Sequence, residues 1–327
     1  MGLVDRVALA VFFLLIGGDV MAFDIEAHRG GRALLPENTL ASFANALSLG
    51  VDTLELDIGV TYDGVIVVSH ERGLNPDLAR GPDGEYVASP GTPFVRLSLE
   101  EVKKFDVGQI RPGSKYAAQF PDQRAVPQTR IPTLKEVIYL VRKSGDSQVR
   151  LNIETKIDPD HPQESPGPDR FVELLLDLLR AEKFESRVMV QSFDWRTLQI
   201  LQKLAPEIPT VYLTVQIGSA STVSLQSATA WTAGFNPAEH GQSLPRTIKV
   251  AGGAIWSPFF GDVTPALISE SHALGLQVVV WTVNKPADMA RMIEMGVDGI
   301  ISDRPDLLRQ VAASKGIALP TASPVTP

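Results

Sequence analysis

Residues 53–70 read TLELDIGVTYDGVIVVSH. The first eight are apolar or β-branched at most positions, as in a strand covered on both faces. Glu55 and Asp57 stand two apart within them. Residues two apart on a strand point to the same side, so the two carboxylates project together. Asp63-Gly64 is a hairpin signal. VIVVSH then runs back antiparallel and carries His70 towards the carboxylates.

From residue 23 onward, strand patterns alternate with helix patterns. DIEAHRG is a first strand ending at His28. PENTLASFANALSLG follows as a helix, with Leu40, Phe43, Ala44 and Leu47 on one face and Gly50 as its stop. After the 53–60 strand come RLNIETK (150–156), VMVQSF (188–193), TVYLTV (210–215), AIWSPFF (254–260), QVVVWTVN (277–284) and GIISD (299–303). Amphipathic helices separate most of these. Eight strands in this rhythm predict an α/β fold, a (β/α)8 TIM barrel. An open doubly wound sheet is the alternative, but no Gly-rich dinucleotide loop follows the first strand. Residues 71–131, dense in Pro and Gly, are an insertion after the second strand, on the face where such barrels carry their sites. Residues 216–250 are a second irregular stretch. The barrel domain is expected over 23–315.

The ends read differently. In residues 1–22, Arg6 precedes an apolar run, then Gly17-Gly18 and Val20-Met21-Ala22, the pattern of a secretory signal cleaved after Ala22. A first helix packed on the fold is the alternative. Export is expected, to the periplasm in a Gram-negative bacterium and otherwise as secretion. The apolar run is short for a bilayer, so the mature chain is not expected to insert stably in a membrane. Residues 316–327, rich in Pro, Ser and Thr, read as a disordered tail.

The net charge is −8 with no basic block, which argues against nucleic-acid binding. There is no cysteine, so disulfides, zinc–thiolate sites and thiol nucleophiles are excluded. Any metal must use oxygen or imidazole.

In a barrel of this kind, reacting groups sit at the C-terminal ends of strands. There the sequence places His28 and Arg29, Glu55 and Asp57, Glu154 and Lys156, Gln191, then Trp281 and Asn284. Unpaired buried carboxylates are costly, and a divalent cation would supply the missing charge. Three carboxylates suit a hard cation, Mg²⁺ or Ca²⁺. Arg29 and Lys156 are then positive charges suited to a phosphate oxyanion. His28 and His70 suit an acid–base pair. Singly, each feature has an ordinary structural explanation: an ion pair for Glu154 and Lys156, a salt-bridge network for Glu55 and Asp57, core packing for Trp281. The conjunction at one end of one barrel carries the functional reading.

HRG, then PENTLASFANALSLGVDTLELDIGVTYDGVIVVSH, NIETK, QSFD, WTVN and DGIISDRPDLL in that order closely resemble the glycerophosphodiester phosphodiesterases over residues ~25–305. The resemblance implies a metal-dependent TIM-barrel enzyme. It would hydrolyse glycerophosphocholine or a similar small glycerophosphodiester to glycerol 3-phosphate and an alcohol. It makes Glu55, Asp57 and Glu154 metal ligands, and His28 and His70 the acid–base pair; the order within the pair stays open, with His28 as base the first choice. It places Arg29 and Lys156 on phosphate oxygens, Glu37 near the glycerol side, and Trp281 on the pocket wall. Gln191 joins the substrate contacts. The exported location favours Ca²⁺ over Mg²⁺. The family's Asp after the second histidine is here Glu71, which bears on how His70 is held. A phospholipase D-type activity on lysophospholipids is a second reading, with Phe94, Tyr116 and Phe120 of the insertion expected as exposed aromatics. A non-catalytic phosphodiester-binding protein is a third, and it has no need of two histidines.

Overall fold

A computed structural model describes residues 23–218 and 220–327. The expected signal segment, 1–22, lies outside the described residues. Eight parallel strands close on themselves: β1 (Asp24–Ala27), β2 (Thr53–Val60), β4 (Arg150–Thr155), β5 (Val188–Ser192), β6 (Thr210–Thr214), β7 (Ile255–Pro258), β8 (Gln277–Val280) and β9 (Gly299–Ser302). Closure is made by β1, which pairs with β9 on one side and β2 on the other. This is the expected (β/α)8 barrel. β3 (Ile66–Val68) is an antiparallel arm on β2, set by the Asp63-Gly64 turn.

The strands are shorter than their sequence patterns. β1 stops at Ala27 rather than His28, and β8 stops at Val280 rather than Asn284. The polar residues at the ends of those patterns leave the ladder and turn over the barrel mouth.

The outer ring is built by amphipathic helices. In α3 (Leu134–Lys143), Leu134, Val137, Ile138 and Val141 are buried at helical spacing. Thr133 and Glu136 cap its start reciprocally. α4 (Pro168–Ala181) does the same with Phe171, Val172, Leu175, Leu176 and Leu179. The 216–250 stretch holds a helix that its composition hid, Leu244–Val250, capped by Ser243. Its Pro245 reads as a breaker but sits in the first turn, where no N–H partner is lost.

The segment 316–327, expected to be disordered, is irregular yet docked. Ser323 N donates to Leu47 O at 2.9 Å, and Ile317 and Val325 pack on the core. Gly50 makes room for it. Its φ is +86°, and a Cβ there would meet Pro320 O at 2.7 Å.

Inside the barrel, one side is apolar, with Met189, Val211, Ile255, Val279 and Ile301 clustered together. The other side is polar, with Glu26, Glu55, Asn152 and Gln191 all buried.

The insertion has its own core of Val67, Leu74, Ala79, Phe94, Val102 and Ile131. Phe94 lies against Gly59 of β2, where a Cβ would meet its ring at 3.0 Å. Asp106 ties the segment together. It accepts from Gly108 N (2.9 Å), Thr129 N (3.1 Å), Gln128 N (3.0 Å) and Arg80 (2.7 Å). Burial alone would raise its pKa, but the Gly108 amide and Arg80 outweigh burial and hold it below the ordinary carboxylate value. This stabilisation is complete above about pH 4, the unfolded value, and is lost as pH falls through the depressed one. Asp106→Ala strands three amides and is expected to loosen the insertion by about 2–4 kcal/mol. Faster hydrogen exchange and protease cleavage within 71–131, with the barrel amides unchanged, would be the readout.

Candidate active site

His28, Arg29 and Gly30 form a tight turn where β1 meets the barrel mouth. Arg29 adopts φ +50°, a left-handed conformation costly for a bulky residue. Its backbone is held on both sides: Arg29 N donates to Glu55 Oε2 (2.9 Å), and Asn38 N donates to Arg29 O (3.0 Å). Gly30, at φ +81°, lies so close to α1 (Leu40–Leu49) that a Cβ would meet Ser42 Oγ at 2.5 Å.

The turn sits beside three buried carboxylates. Asp57 and Glu154 are register partners on β2 and β4, and Glu55 is one pleat below Asp57. One oxygen from each lies within 4.8 Å of the others. Burial and the charges of Asp57 and Glu154 push Glu55 well above the ordinary value. Burial also raises Glu154, to about 7, against the pull of Lys156. Burial would raise Asp57 too, but Arg29, His70 and Lys156 outweigh it and keep it ionised. Asp57 Oδ1 is nevertheless buried without a hydrogen-bond partner. A trio of oxygen donors with an orphaned oxygen among them fits a hard divalent cation.

Arg29 and Lys156, expected to be available for phosphate, are both engaged with these carboxylates. Arg29 donates to Glu37 Oε1 (2.8 Å) and its Nε lies 3.2 Å from Asp57 Oδ2. Lys156 Nζ donates to Glu154 Oε1 (2.7 Å) and lies 3.7 Å from Asp57 Oδ1. Arg29 still lines the cavity above the cluster; Lys156 does not. Glu37 holds Arg29 from behind. Gln191 donates to Glu55 Oε1 at 2.7 Å and reaches the same cavity.

The two histidines are held alike. His28 Nδ1 lies 2.5 Å from Asp303 Oδ1. Burial alone would raise Asp303, but His28 and Arg32 outweigh it and hold its carboxyl well below the usual range. An ionised carboxylate only accepts, so Nδ1 carries the proton and Nε2 is left free. Burial lowers the His28 pKa to about 4, so the ring is neutral at pH 7. His70 Nδ1 pairs with Glu71 Oε1 at 2.9 Å, so the neighbouring glutamate orients the ring. Both rings line one cavity of about 140 Å³, walled by Phe193 and Trp281. The Trp281 ring meets Phe193 edge-on at 5.4 Å, and its Nε1 donates to Ser257 O at 2.9 Å. A wider cavity of about 500 Å³ opens beyond Arg29 and His70 against the insertion.

Three contributors were missed by sequence reasoning. Asp303 follows the last strand directly, the position where a barrel carries reacting groups, and that position was its available signal. It is fixed by Arg32 (2.7 Å) and Asn284 (2.7 Å). Asn38 donates to Asp57 Oδ2 at 2.9 Å. Tyr116 reaches in from the insertion, donating to Glu37 and accepting from Arg32. The insertion aromatics are not exposed as expected. Phe94 is fully buried, Phe120 is buried beneath Arg32, and Tyr116 is half-buried.

A parallel barrel with two carboxylate-held imidazoles beside a buried acidic trio is an arrangement able to support acid–base chemistry and to hold a metal. The description of the glycerophosphoryl diester phosphodiesterase family matches residues 28–307. A glycerophosphodiester phosphodiesterase of Caldanaerobacter subterraneus is 32% identical over 89% of this chain and 98% of its own. A solved Silicibacter pomeroyi protein, assigned as a glycerophosphoryl diester phosphodiesterase, is 34% identical with a TM-score of 0.81, covering 92% of this chain and 97% of its own. An Oleispira antarctica phosphodiesterase solved with the product sn-glycerol-3-phosphate shares the fold at 22% identity and a TM-score of 0.64, over 89% and 97% of the two chains. The chain belongs to the glycerophosphoryl diester phosphodiesterase family and is a phosphoric diester hydrolase.

Asp303→Asn keeps the shape but offers His28 a donor as well as an acceptor. It is expected to lower kcat by about 10²-fold or more, with KM and the circular dichroism spectrum little changed. Steady-state kinetics on the purified variant would check this.

Proposed function

We infer that the chain hydrolyses small glycerophosphodiesters, glycerophosphocholine among them, to glycerol 3-phosphate and a free alcohol. His28 and His70 act as the acid–base pair, and Glu55, Asp57 and Glu154 hold one divalent cation. The observation that carries this reading is the matched pair of imidazoles. Each has Nδ1 occupied by a carboxylate, and both line one small cavity. With Nδ1 so held, Nε2 faces the cavity, where a neutral ring takes a proton and a protonated ring gives one.

The small cavity, with its aromatic wall, suits the glycerol phosphate end, the part found as product in the Oleispira enzyme. The alcohol would leave through the wider cavity. His70 borders that cavity and His28 does not. His28 is therefore the base: its free Nε2 takes the proton of water or of the glycerol 2-hydroxyl as the P–O bond forms. His70, carrying a proton on Nε2 when the step begins, gives it to the departing alcohol oxygen as the other P–O bond breaks. Attack by the hydroxyl yields a cyclic glycerophosphate, which water then opens. Arg29 faces the cavity and would hold a phosphate oxygen. A bound cation would neutralise charge on the phosphate.

Ca²⁺ is the proposed ion and export the proposed location, both following from the expected signal in residues 1–22. The lysophospholipid reading loses the exposed aromatics that favoured it, because Phe94 and Phe120 are buried and Tyr116 is half-buried against Glu37 and Arg32. Among the described residues no helix is long and apolar enough to cross a membrane.

Metal-stripped protein should release glycerol 3-phosphate and choline from glycerophosphocholine only after Ca²⁺ is restored, with Mg²⁺ less effective. No release from any glycerophosphodiester would overturn the substrate reading. His28→Ala and His70→Ala should each lower kcat by about 10²–10⁴-fold. A p-nitrophenyl ester needs little proton donation to its leaving group. With it, the His70→Ala loss should shrink and the His28→Ala loss persist; the reverse pattern would exchange the two roles.

A further inference from the structure

Below the carboxylate trio, a line of buried polar side chains runs down the barrel interior. Gln191 Nε2 donates to Glu55 Oε1 (2.7 Å). Asn152 Nδ2 donates to Gln191 Oε1 (3.2 Å) and to Glu26 Oε2 (2.9 Å). Glu55 and Gln191 are 1% exposed, and Asn152 and Glu26 are 0% exposed. Barrel interiors of this kind are ordinarily filled by branched apolar residues, as the opposite side of this one is. Glu26 plays no part in the reaction proposed above, yet it is a carboxyl in the middle of the molecule.

The line has a direction, and its two ends set it. As the ligand of a bound cation Glu55 would be an ionised carboxylate, which only accepts, so it needs the amide NH₂ of Gln191. The carbonyl of Gln191 then faces Asn152 and needs an NH₂ from it. Asn152 has one remaining hydrogen, which needs an acceptor on the far side, and Glu26 supplies it. An amide is nearly symmetric in shape. Without an acceptor at position 26, one Asn152 hydrogen is left unpaired in the dry interior, and turning over would pair it only at the expense of the bond to Gln191. Its carbonyl would then oppose that of Gln191, and Gln191 would turn its own carbonyl onto Glu55. Two acceptors would meet in a dry interior, an arrangement costly enough to displace the Glu55 carboxylate.

We propose that Glu26 is a positioning residue for the cation site: through Asn152 and Gln191 it fixes the amide direction that tethers Glu55 by one oxygen. The other oxygen, Oε2, accepts from Arg29 N. The Glu26 carboxyl is raised well above its ordinary value by burial and by the neighbouring Asp24, so the anchor works as a neutral acceptor and needs no charge. Glutamine can therefore replace it, whereas an apolar residue of similar length cannot. This inference rests on the trio binding a cation.

The test is calorimetric titration of the metal-stripped full chain with CaCl₂ alone, without substrate. Glu26→Gln should bind Ca²⁺ within about threefold of wild type. Glu26→Met should bind about 10–100-fold more weakly, the usual loss when a ligand's outer partner is removed. Asn152→Leu breaks the same line at another link and should give the same loss, which keeps the test open if Glu26→Met fails to fold. The decisive arm is the double variant Glu26→Met/Gln191→Met. If Glu26 acts through Gln191, the double variant binds no more weakly than Gln191→Met alone. Additive losses would mark a general packing role and overturn the proposal. So would wild-type affinity in Glu26→Met, or equal weakening in Glu26→Gln and Glu26→Met. Wild-type protein that binds neither Ca²⁺ nor Mg²⁺ would overturn the cation reading itself, a result distinct from failure of the relay.

Discussion

Three carboxylates forced together away from water set the terms for the rest of this molecule. Full charges on Glu55, Asp57 and Glu154, within 4.8 Å of one another, repel by roughly 3 kcal/mol or more per pair at an effective dielectric near 20. Each has also lost its hydration. The surrounding chain offsets part of this. Lys156 and Arg29 stand 2.7 and 3.2 Å from Glu154 and Asp57. Asn38, Gln191 and the Arg29 amide donate to the remaining oxygens. Asp57 is thereby kept ionised while Glu55 and Glu154 are driven upward. The compensation stops short at Asp57 Oδ1, a shortfall that a bound cation would fit.

Several features of the chain follow from holding this cluster. Arg29 takes a left-handed backbone conformation because its amide must reach Glu55 while its guanidinium reaches Asp57 and Glu37. Gly30 follows because the turn then presses on Ser42. The insertion is bound to the same arrangement. Tyr116 grips Glu37, Gln123 Nε2 donates to Arg32 O at 2.6 Å, and Phe120 lies under the Arg32 guanidinium. A segment that looks like surface elaboration in sequence thus buttresses the residues that orient Arg29 and Asp303.

The barrel was legible because strand and helix periodicities alternate clearly, and because parallel strands buried on both faces read as continuous apolar runs. Glu55, Asp57 and Glu154 were legible for a related reason: a carboxylate inside such a run needs an explanation. Groups acting through others were not legible. Asp303 follows GIIS as an acid at a strand end, like any loop acid, until the fold brings it to His28, 275 residues away. Tyr116 lies in a stretch with no periodicity, so neither its burial nor its partner could be inferred. The docked 316–327 segment failed for the opposite reason. Its composition is that of a solvated tail, but backbone groups with nearby partners and two apolar residues were enough to seat it.

The split interior of the barrel shows what function demanded of the fold. Apolar residues on β5 to β9 fill one side and need no partners. On the other side, Glu26, Asn152 and Gln191 occupy volume that Val or Ile would stabilise more simply. Residual unpaired atoms, Glu26 Oε1 and Asn152 Oδ1, record the cost. A polar column of this kind is stable only if its members agree on which end donates, and the acceptor-only carboxylate at the mouth imposes that agreement. The mouth of the barrel and its polar interior are therefore joined by one hydrogen-bonded line, and the positioning role proposed for Glu26 runs along it.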